Sequence, residues 1–254
     1  MRERFRELAH DAWDQHERAE RESVHHLVRP SIPILFFGDS KAFASSPLRT
    51  ITVGLNPSRE EFPRRAPFLR FPAAEGTSVR DPDRYLASLD AYFRTAPYTG
   101  WFNPSFEPLL RGLGASYYDQ AASVALHTDL CSPLATDPTW SRLDRQEQAL
   151  LEPAGGRLWH ELVEALQPDV VFISIARRRL GKIALPLIEP ASVIDTVDGP
   201  GRVRPYRIEA FRHALASGKA PLFVFGQASQ TPFGSISGVE KRRIGARVLE
   251  LIDA

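Results

Sequence analysis

The feature that most constrains this chain is a pattern that recurs along it: a short apolar run, rich in β-branched residues, that stops abruptly at a polar turn. Thr50-Ile-Thr-Val-Gly-Leu55 ends at Asn56-Pro57-Ser58, and Ala121 to Thr128 ends in Asp129-Leu-Cys-Ser-Pro133. Asp169 to Ile175 runs into Ala176-Arg177-Arg178-Arg179, and Pro221 to Phe225 breaks into Gly226-Gln227-Ala228-Ser229. Runs this short and this apolar read as strands buried on both faces. Helical patterns over about 82–95, 104–114, 144–166 and 239–252 lie between or after them. Strands alternating with helices predict an α/β protein, a three-layer α/β/α arrangement around a central, mostly parallel sheet. Further short strands fit 33–37 and 192–196. Residues 2–28 carry Phe5, Leu8, Ala12 and Trp13 on one stripe, so an outer helical segment is expected over 1–30. No linker or low-complexity segment divides the chain, and one domain over 1–254 is expected.

In open α/β sheets ligands bind just outside the carboxyl ends of the strands. Four strand ends would bring Asn56, Asp129, the arginines 177–179 and the loop 227–237 to one sheet edge. The stretch 56–81, rich in Pro, Arg and Phe and without periodicity, reads as a long loop, and long ordered loops are usually functional. Each turn has a plainer reading as well, since Asn, Pro and Ser form turns wherever they occur.

Composition narrows the function classes. With 43% hydrophobic residues in 254, the chain can bury a large core. No apolar run reaches the ~18 residues of a spanning helix, and Met1-Arg-Glu-Arg-Phe-Arg has no apolar signal core, so a soluble, cytoplasmic protein without a membrane partner is expected. Cys131 is the single cysteine, which excludes internal disulfides, a four-cysteine iron–sulfur cluster and a cysteine-based zinc site. His25-His26 lie far in sequence from other ligand types and read as a solvated face, so no metal and no cofactor is expected. Net charge is +1, yet only four of the 32 basic side chains are lysine. Guanidinium is the better bidentate phosphate ligand. The arginines cluster at 64–65, at 177–179 and, with Lys241, at 242–243.

At this point the chain resembles a known family, the uracil-DNA glycosylase superfamily. Gly54-Leu55-Asn56-Pro57-Ser58 is similar to its first motif in the mismatch-specific and thymine-DNA glycosylase branch. His127-Thr128-Asp129-Leu130, running to Pro133, resembles the strand that carries the base-reading residue. Phe225-Gly226-Gln227-Ala228-Ser229 stands where the second motif, usually His-Pro-Ser or Asn-Pro-Ser, is expected. The likeness runs from about residue 32 to the C-terminus. It implies DNA as partner, with a nucleotide flipped from a duplex or taken from a single strand into a pocket that reads its Watson–Crick edge. By that resemblance Asn56 positions the hydrolytic water, Leu55 borders the base, and Phe68 or Phe71 stacks on it. Gln227 holds the leaving base, while Ser58, Ser229, Arg177, Arg178, Lys241 and Arg242 contact DNA. Phe233 is the expected wedge for the space the base vacates. The Phe residues read equally as core packing.

Two departures from the family pattern matter. Gln227 replaces the usual His or Asn, and Asp129 stands where uracil readers carry Asn. An Asn serves uracil by donating to O4 and accepting from N3–H, whereas an ionised Asp only accepts. Cytosine N4 is a donor, so Asp129 favours a cytosine-like base. Its alternatives are activation of water, or a capping role at a strand end. His127, two residues earlier, points to the same face. A lyase needs an amine nucleophile. Only Lys182 and Lys241 fall near the expected face, and neither sits in a motif, so simple hydrolysis is expected.

The resulting expectation is a monomeric, monofunctional DNA glycosylase acting on a cytosine-type base. A 5-modification, hydroxymethyl or glucosyl, would spare the host's own DNA and fits anti-phage defence. The rivals are a uracil or thymine mismatch-repair glycosylase and a catalytically silent DNA-binding module on the same fold.

Overall fold

The computed structural model describes residues 2–22, 24–76, 81–118, 121–199 and 204–253. The end of the expected long loop, 77–80, and Ser23 of the expected outer helix fall outside them. The strands are β1 (Thr50–Gly54), β2 (Ala115–Ser116), β3 (Ser123–Asp129), β4 (Val170–Ile173), β5 (Leu187–Val197), β6 (Tyr206–His213) and β7 (Leu222–Gly226). The helices are α1 (Arg2–Arg21), α2 (Ser40–Ser45), α3 (Pro82–Asp90), α4 (Tyr92–Thr95), α5 (Thr99–Ser105), α6 (Glu107–Leu113), α7 (Arg145–Leu166) and α8 (Gly238–Asp253). The chain is therefore α/β, with a seven-stranded sheet in the order β2-β3-β1-β4-β7-β6-β5. Strand β4 pairs parallel with both β1 and β7, and β2 pairs parallel with β3. β6 runs antiparallel to β7 and to β5, making the sheet mixed.

Every residue of β1, β4 and β7 is buried, as strands covered on both faces require. β5 is the edge strand; it is mostly exposed and broken by register shifts, which blunt an edge against further pairing. β6 was not expected from the sequence. Its Tyr-Arg-Ile-Glu-Ala-Phe-Arg-His run is half polar, and Glu209 is buried only because Arg177 pairs with it. Pro33–Phe37 is not a strand. Ile34 N–H bonds Pro133 O while Phe37 pairs with His127, a step of three residues against one of six, so the register is lost and no ladder forms.

Two compact units result. The first comprises Met1–Lys41, Gly54–Tyr98 and His127–Leu166, and the second Ala42–Val53, Thr99–Leu126 and Gln167–Ala254. In the first, α1 packs on α3 and α7 through Phe5, Leu8, Ala12 and Trp13, the expected stripe. This helix stops at Arg21 rather than near residue 28, since Val28 N–H is taken by Ala135 O and Leu27 bridges Thr136. The second unit holds the sheet apart from the last residues of β1 and β3, which carry the chain into the first unit. There α6 and α8 cross closely. A Cβ on Gly112 would lie 2.0 Å from Arg242 O, and one on Gly245 2.0 Å from Leu109 O, so only glycine permits this crossing. No helix among the described residues is long and apolar enough to cross a membrane.

Candidate functional site

In the first unit, the segments that follow β1 and β3 are bonded to each other and carry a buried cluster of polar and aromatic side chains. After β1, the carbonyls of Gly54 and Leu55 accept the N–H groups of Leu130, Cys131 and Ser132, and Pro57 O accepts Thr136 N–H. The segment 54–58 is thus stitched to 130–136 by backbone bonds. Asn56 completes the seam. Its Nδ2 donates to Leu134 O at 3.1 Å and Thr136 Oγ1 at 2.8 Å, and its Oδ1 accepts Trp140 N–H at 3.1 Å. Both amide protons are committed, and one lone pair of Oδ1 remains. Ser58 caps the following turn by accepting Glu60 N–H.

At the end of β3, Thr128 turns to one face and accepts the Trp159 indole N–H at 3.1 Å. His127 and Asp129 share the other face, with Nε2 3.8 Å from Oδ1. Asp129 is only 8% exposed. Among the described residues its carboxylate accepts no hydrogen bond, and the imidazole of His127 is the nearby basic group. Its acceptor capacity therefore remains open to a donor from outside. Gly54 makes room for it, since a Cβ there would lie 2.5 Å from Asp129 Oδ1 and 3.1 Å from His127 Nε2.

An aromatic cluster begins at His127. Phe37 lies 5.5 Å from the His127 ring and 4.8 Å from Tyr92, and Phe71 is 5.2 Å from Tyr92 and stacked on Phe62 at 5.5 Å. A second carboxyl, Glu61, enters the cluster at 5% exposure. Its Oε2 accepts the Tyr92 hydroxyl at 2.5 Å and lies 3.8 Å from Arg70 Nε. Burial pushes the Glu61 carboxyl up to about 7, against the pull of Tyr92 and Arg70 and with a smaller push from the Asp129 charge. Glu61, Arg70 and Tyr92 were missed in the sequence. The first two lie in the stretch 56–81, read only as a loop without periodicity, and Tyr92 falls within the expected helix 82–95.

Several expected site residues fall elsewhere. Phe71 is fully buried between other rings and packs the core, so of the two stacking candidates only Phe68 is half-exposed. Phe233 is a core residue and not a projecting wedge. It is 0% exposed, its N–H donates to Ser174 Oγ at 2.8 Å, and its ring meets Phe106. Lys241 is likewise inside, 3% exposed, with Nζ donating to Pro104 O at 2.6 Å. Burial pulls its ammonium down to about 8, and no phosphate reaches it in this state. The remaining DNA-contact candidates of the second unit are at its surface. Arg178 and Arg242 are exposed and have no side-chain partner among the described residues, and Gln227 and Ser229 are also exposed. Arg177 is held by Glu209 in a bidentate pair at 2.7 and 2.8 Å and sits 4.9 Å from the Phe225 ring. Beside it a cleft of about 430 Å³ is lined by Arg177, Arg204, Pro205, Tyr206, Arg207 and Gln227. Tyr206 anchors it by donating to Gln227 O at 2.6 Å. Arg204 and Arg207 bring positive charge that Glu209 does not neutralise. The sequence reading passed over both, because neither belongs to an arginine run.

His26 is not a solvated histidine on the outer helix. It follows α1, and Nδ1 meets Glu147 Oε2 at 2.5 Å while its N–H meets Oε1 at 3.1 Å, which raises the imidazole pKa. With Asp144 these side chains have donor atoms within 4.8 Å of one another, as a metal site would need. Each already has a job, however, for Asp144 Oδ1 caps the Glu147 N–H at 2.8 Å.

Compared with protein-family models, curated proteins and solved structures, the chain matches none. Its function therefore rests on the buried cluster and the surface charges themselves.

Proposed function

We propose that this protein is a monofunctional DNA glycosylase of the uracil-DNA glycosylase type, on a three-layer α/β/α fold. It hydrolyses the N-glycosidic bond of a cytosine-type base and leaves an abasic site. The observation that carries this reading is Asp129, a buried carboxylate that accepts no hydrogen bond among the described residues and whose neighbour His127 lies against the Phe37 ring. An acceptor-only group in such a place matches a ligand that brings an N–H donor on a flat apolar ring. The cytosine N4 amine is such a donor; uracil and thymine present O4 there, and two acceptors would face each other unpaired. The half-exposed Phe68 stacks on the base. Asn56, rigidly held by three bonds, uses the free lone pair of Oδ1 to hold the attacking water. The exposed Arg178 and Arg242, together with the arginine-lined cleft, take DNA phosphates. We read a 5-modified cytosine, hydroxymethylated or glucosylated, as the substrate, and defence against phage that carry such bases as the setting. The enzyme would act as a monomer in the cytoplasm without cofactor or metal.

The test is incubation with duplexes carrying U, T, C, 5-methyl-, 5-hydroxymethyl- or glucosyl-hydroxymethylcytosine, followed by alkali. Strand scission confined to the cytosine group supports the proposal. Scission at uracil or at thymine opposite guanine overturns it in favour of repair. Retarded but uncut DNA in every case overturns it in favour of a binding module.

A further inference from the structure

We infer that the arginine-lined cleft of the second unit is a nucleotide site selective for a phosphomonoester, the dianionic group of a nucleoside 5′-monophosphate or of a phosphorylated DNA end. This goes beyond the phosphate contact proposed above and does not depend on which base, if any, the protein excises. The cleft lies within the second unit alone, at the carboxyl edge of its sheet. β4 and β7 are parallel neighbours; Arg177 stands in the turn after β4, and Gln227 directly follows β7. β6 runs antiparallel to β7, so its first residue, Tyr206, is delivered to the same edge. The crevice outside the carboxyl ends of the strands is where open α/β sheets hold their ligands. A volume of about 430 Å³ is that of a small-molecule site and exceeds what a lone phosphate fills.

The frame of the cleft is fixed before any ligand arrives. Ser174 Oγ donates to Gly226 O at 2.7 Å, Ala228 N–H to Ile175 O at 3.3 Å and the Tyr206 hydroxyl to Gln227 O at 2.6 Å. These bonds tie the segments after β4 and β7 to each other and to β6. Arg177 is held by both oxygens of Glu209, with its guanidinium over the Phe225 ring. Arg204 and Arg207 are exposed and form no ion pair or side-chain hydrogen bond among the described residues. Three guanidinium groups against one carboxylate leave a balance of two positive charges. A phosphodiester brings one negative charge and a phosphomonoester close to two at pH 7, so the monoester is the matching group. The rest of the wall suits the nucleoside. Pro205 and Tyr206 contribute ring surface, and the Gln227 side chain, without a hydrogen bond among the described residues, offers a donor and an acceptor.

The test is calorimetric titration of the full chain with AMP, cyclic AMP, adenosine and inorganic phosphate, and with one short single-stranded oligonucleotide bearing or lacking a 5′-phosphate. AMP should bind at least ~10-fold tighter than cyclic AMP, whose phosphate is a diester, and than adenosine or inorganic phosphate, each of which lacks half of the ligand. Arg204→Ala and Arg207→Ala should each weaken AMP about tenfold, as loss of one charge-assisted contact does. Glu209→Gln, which removes the opposing charge, should tighten it. A gain from the monoester confined to AMP assigns the cleft to free nucleotides, and one confined to the phosphorylated oligonucleotide assigns it to DNA ends; either upholds the inference. Equal affinities for AMP and cyclic AMP, together with equal affinities for the two oligonucleotides, overturn it. So does a preference for the monoester that survives unchanged in the double variant Arg204→Ala, Arg207→Ala. Excision enters none of these readouts, so a protein that releases no base sinks the glycosylase reading and leaves this one standing.

Discussion

Gly54→Ala tests the placement of Asp129 directly, because the atoms nearest to the added methyl belong to Asp129 and His127. The new Cβ would lie 2.5 Å from Asp129 Oδ1 and 3.1 Å from His127 Nε2, where ordinary contact begins at 3.4 Å. The carboxylate must therefore retreat by about 0.9 Å. Neither neighbour moves freely, since Asp129 and His127 are buried and Phe37 packs on the His127 ring. Overpacking of this kind costs about 1–3 kcal/mol. Replacing glycine where the backbone allows alanine returns about 0.4–1 kcal/mol by stiffening the unfolded chain. The net loss is then up to about 2.6 kcal/mol, or a fall in Tm of up to about 10 °C for a chain of this size. If Asp129 reads the base, a displacement near 1 Å also costs on the order of 100-fold in excision rate. Gly156→Ala in α7 is the control, for its nearest contact would be Leu130 O at 3.9 Å. It should gain stability by up to about 1 kcal/mol and leave the rate alone. Calorimetry and single-turnover excision on both variants decide the matter. If Gly54→Ala matches Gly156→Ala in both assays, Asp129 is not held where base reading requires it and the reasoning fails.

Asp129→Asn should lower excision of the cytosine-type base at least ~10-fold and let uracil excision appear, because the new amide can donate to O4; loss of both activities in a folded variant would instead make Asp129 the group that activates water. Asn56→Ala should destabilise the protein by about 2–3 kcal/mol by orphaning Leu134 O, Thr136 Oγ1 and Trp140 N–H, and should slow excision ~100-fold while plain duplex binding persists; a stable variant of normal rate would remove it from both roles. Arg204→Ala with Arg207→Ala should reduce the slope of log affinity against log salt for any duplex by about 1.8, the value for two lost phosphate contacts, whereas Lys241→Met should leave that slope unchanged because Lys241 is buried.

Local patterning was enough to reveal the class of fold and where its buried strands end. Buried parallel strands need continuous apolar runs, and β1, β3, β4 and β7 announce themselves by theirs, each ending at a polar turn. The helical stripe of α1 and the closing helix α8 were legible for the same reason, since periodicity is a local property. Asp129 and Asn56 could be singled out because they sit where such runs stop. What those side chains do was settled only by distant residues. Asn56 looked like a free polar group at a strand end, and three partners 78 to 84 residues away commit its amide. Phe233 and Lys241 looked like surface groups of a loop and a helix start, but tertiary packing put both inside, beside Ser174, Phe106 and Pro104. β6 escaped notice because Glu209 becomes a core residue only once Arg177 pairs with it. Glu61 escaped for a related reason, since it lies in a stretch that reads only as a loop without periodicity. Its raised pKa and its Tyr92 partner arise from desolvation by segments far apart in the chain, and a sequence carries no record of which groups will lose their water.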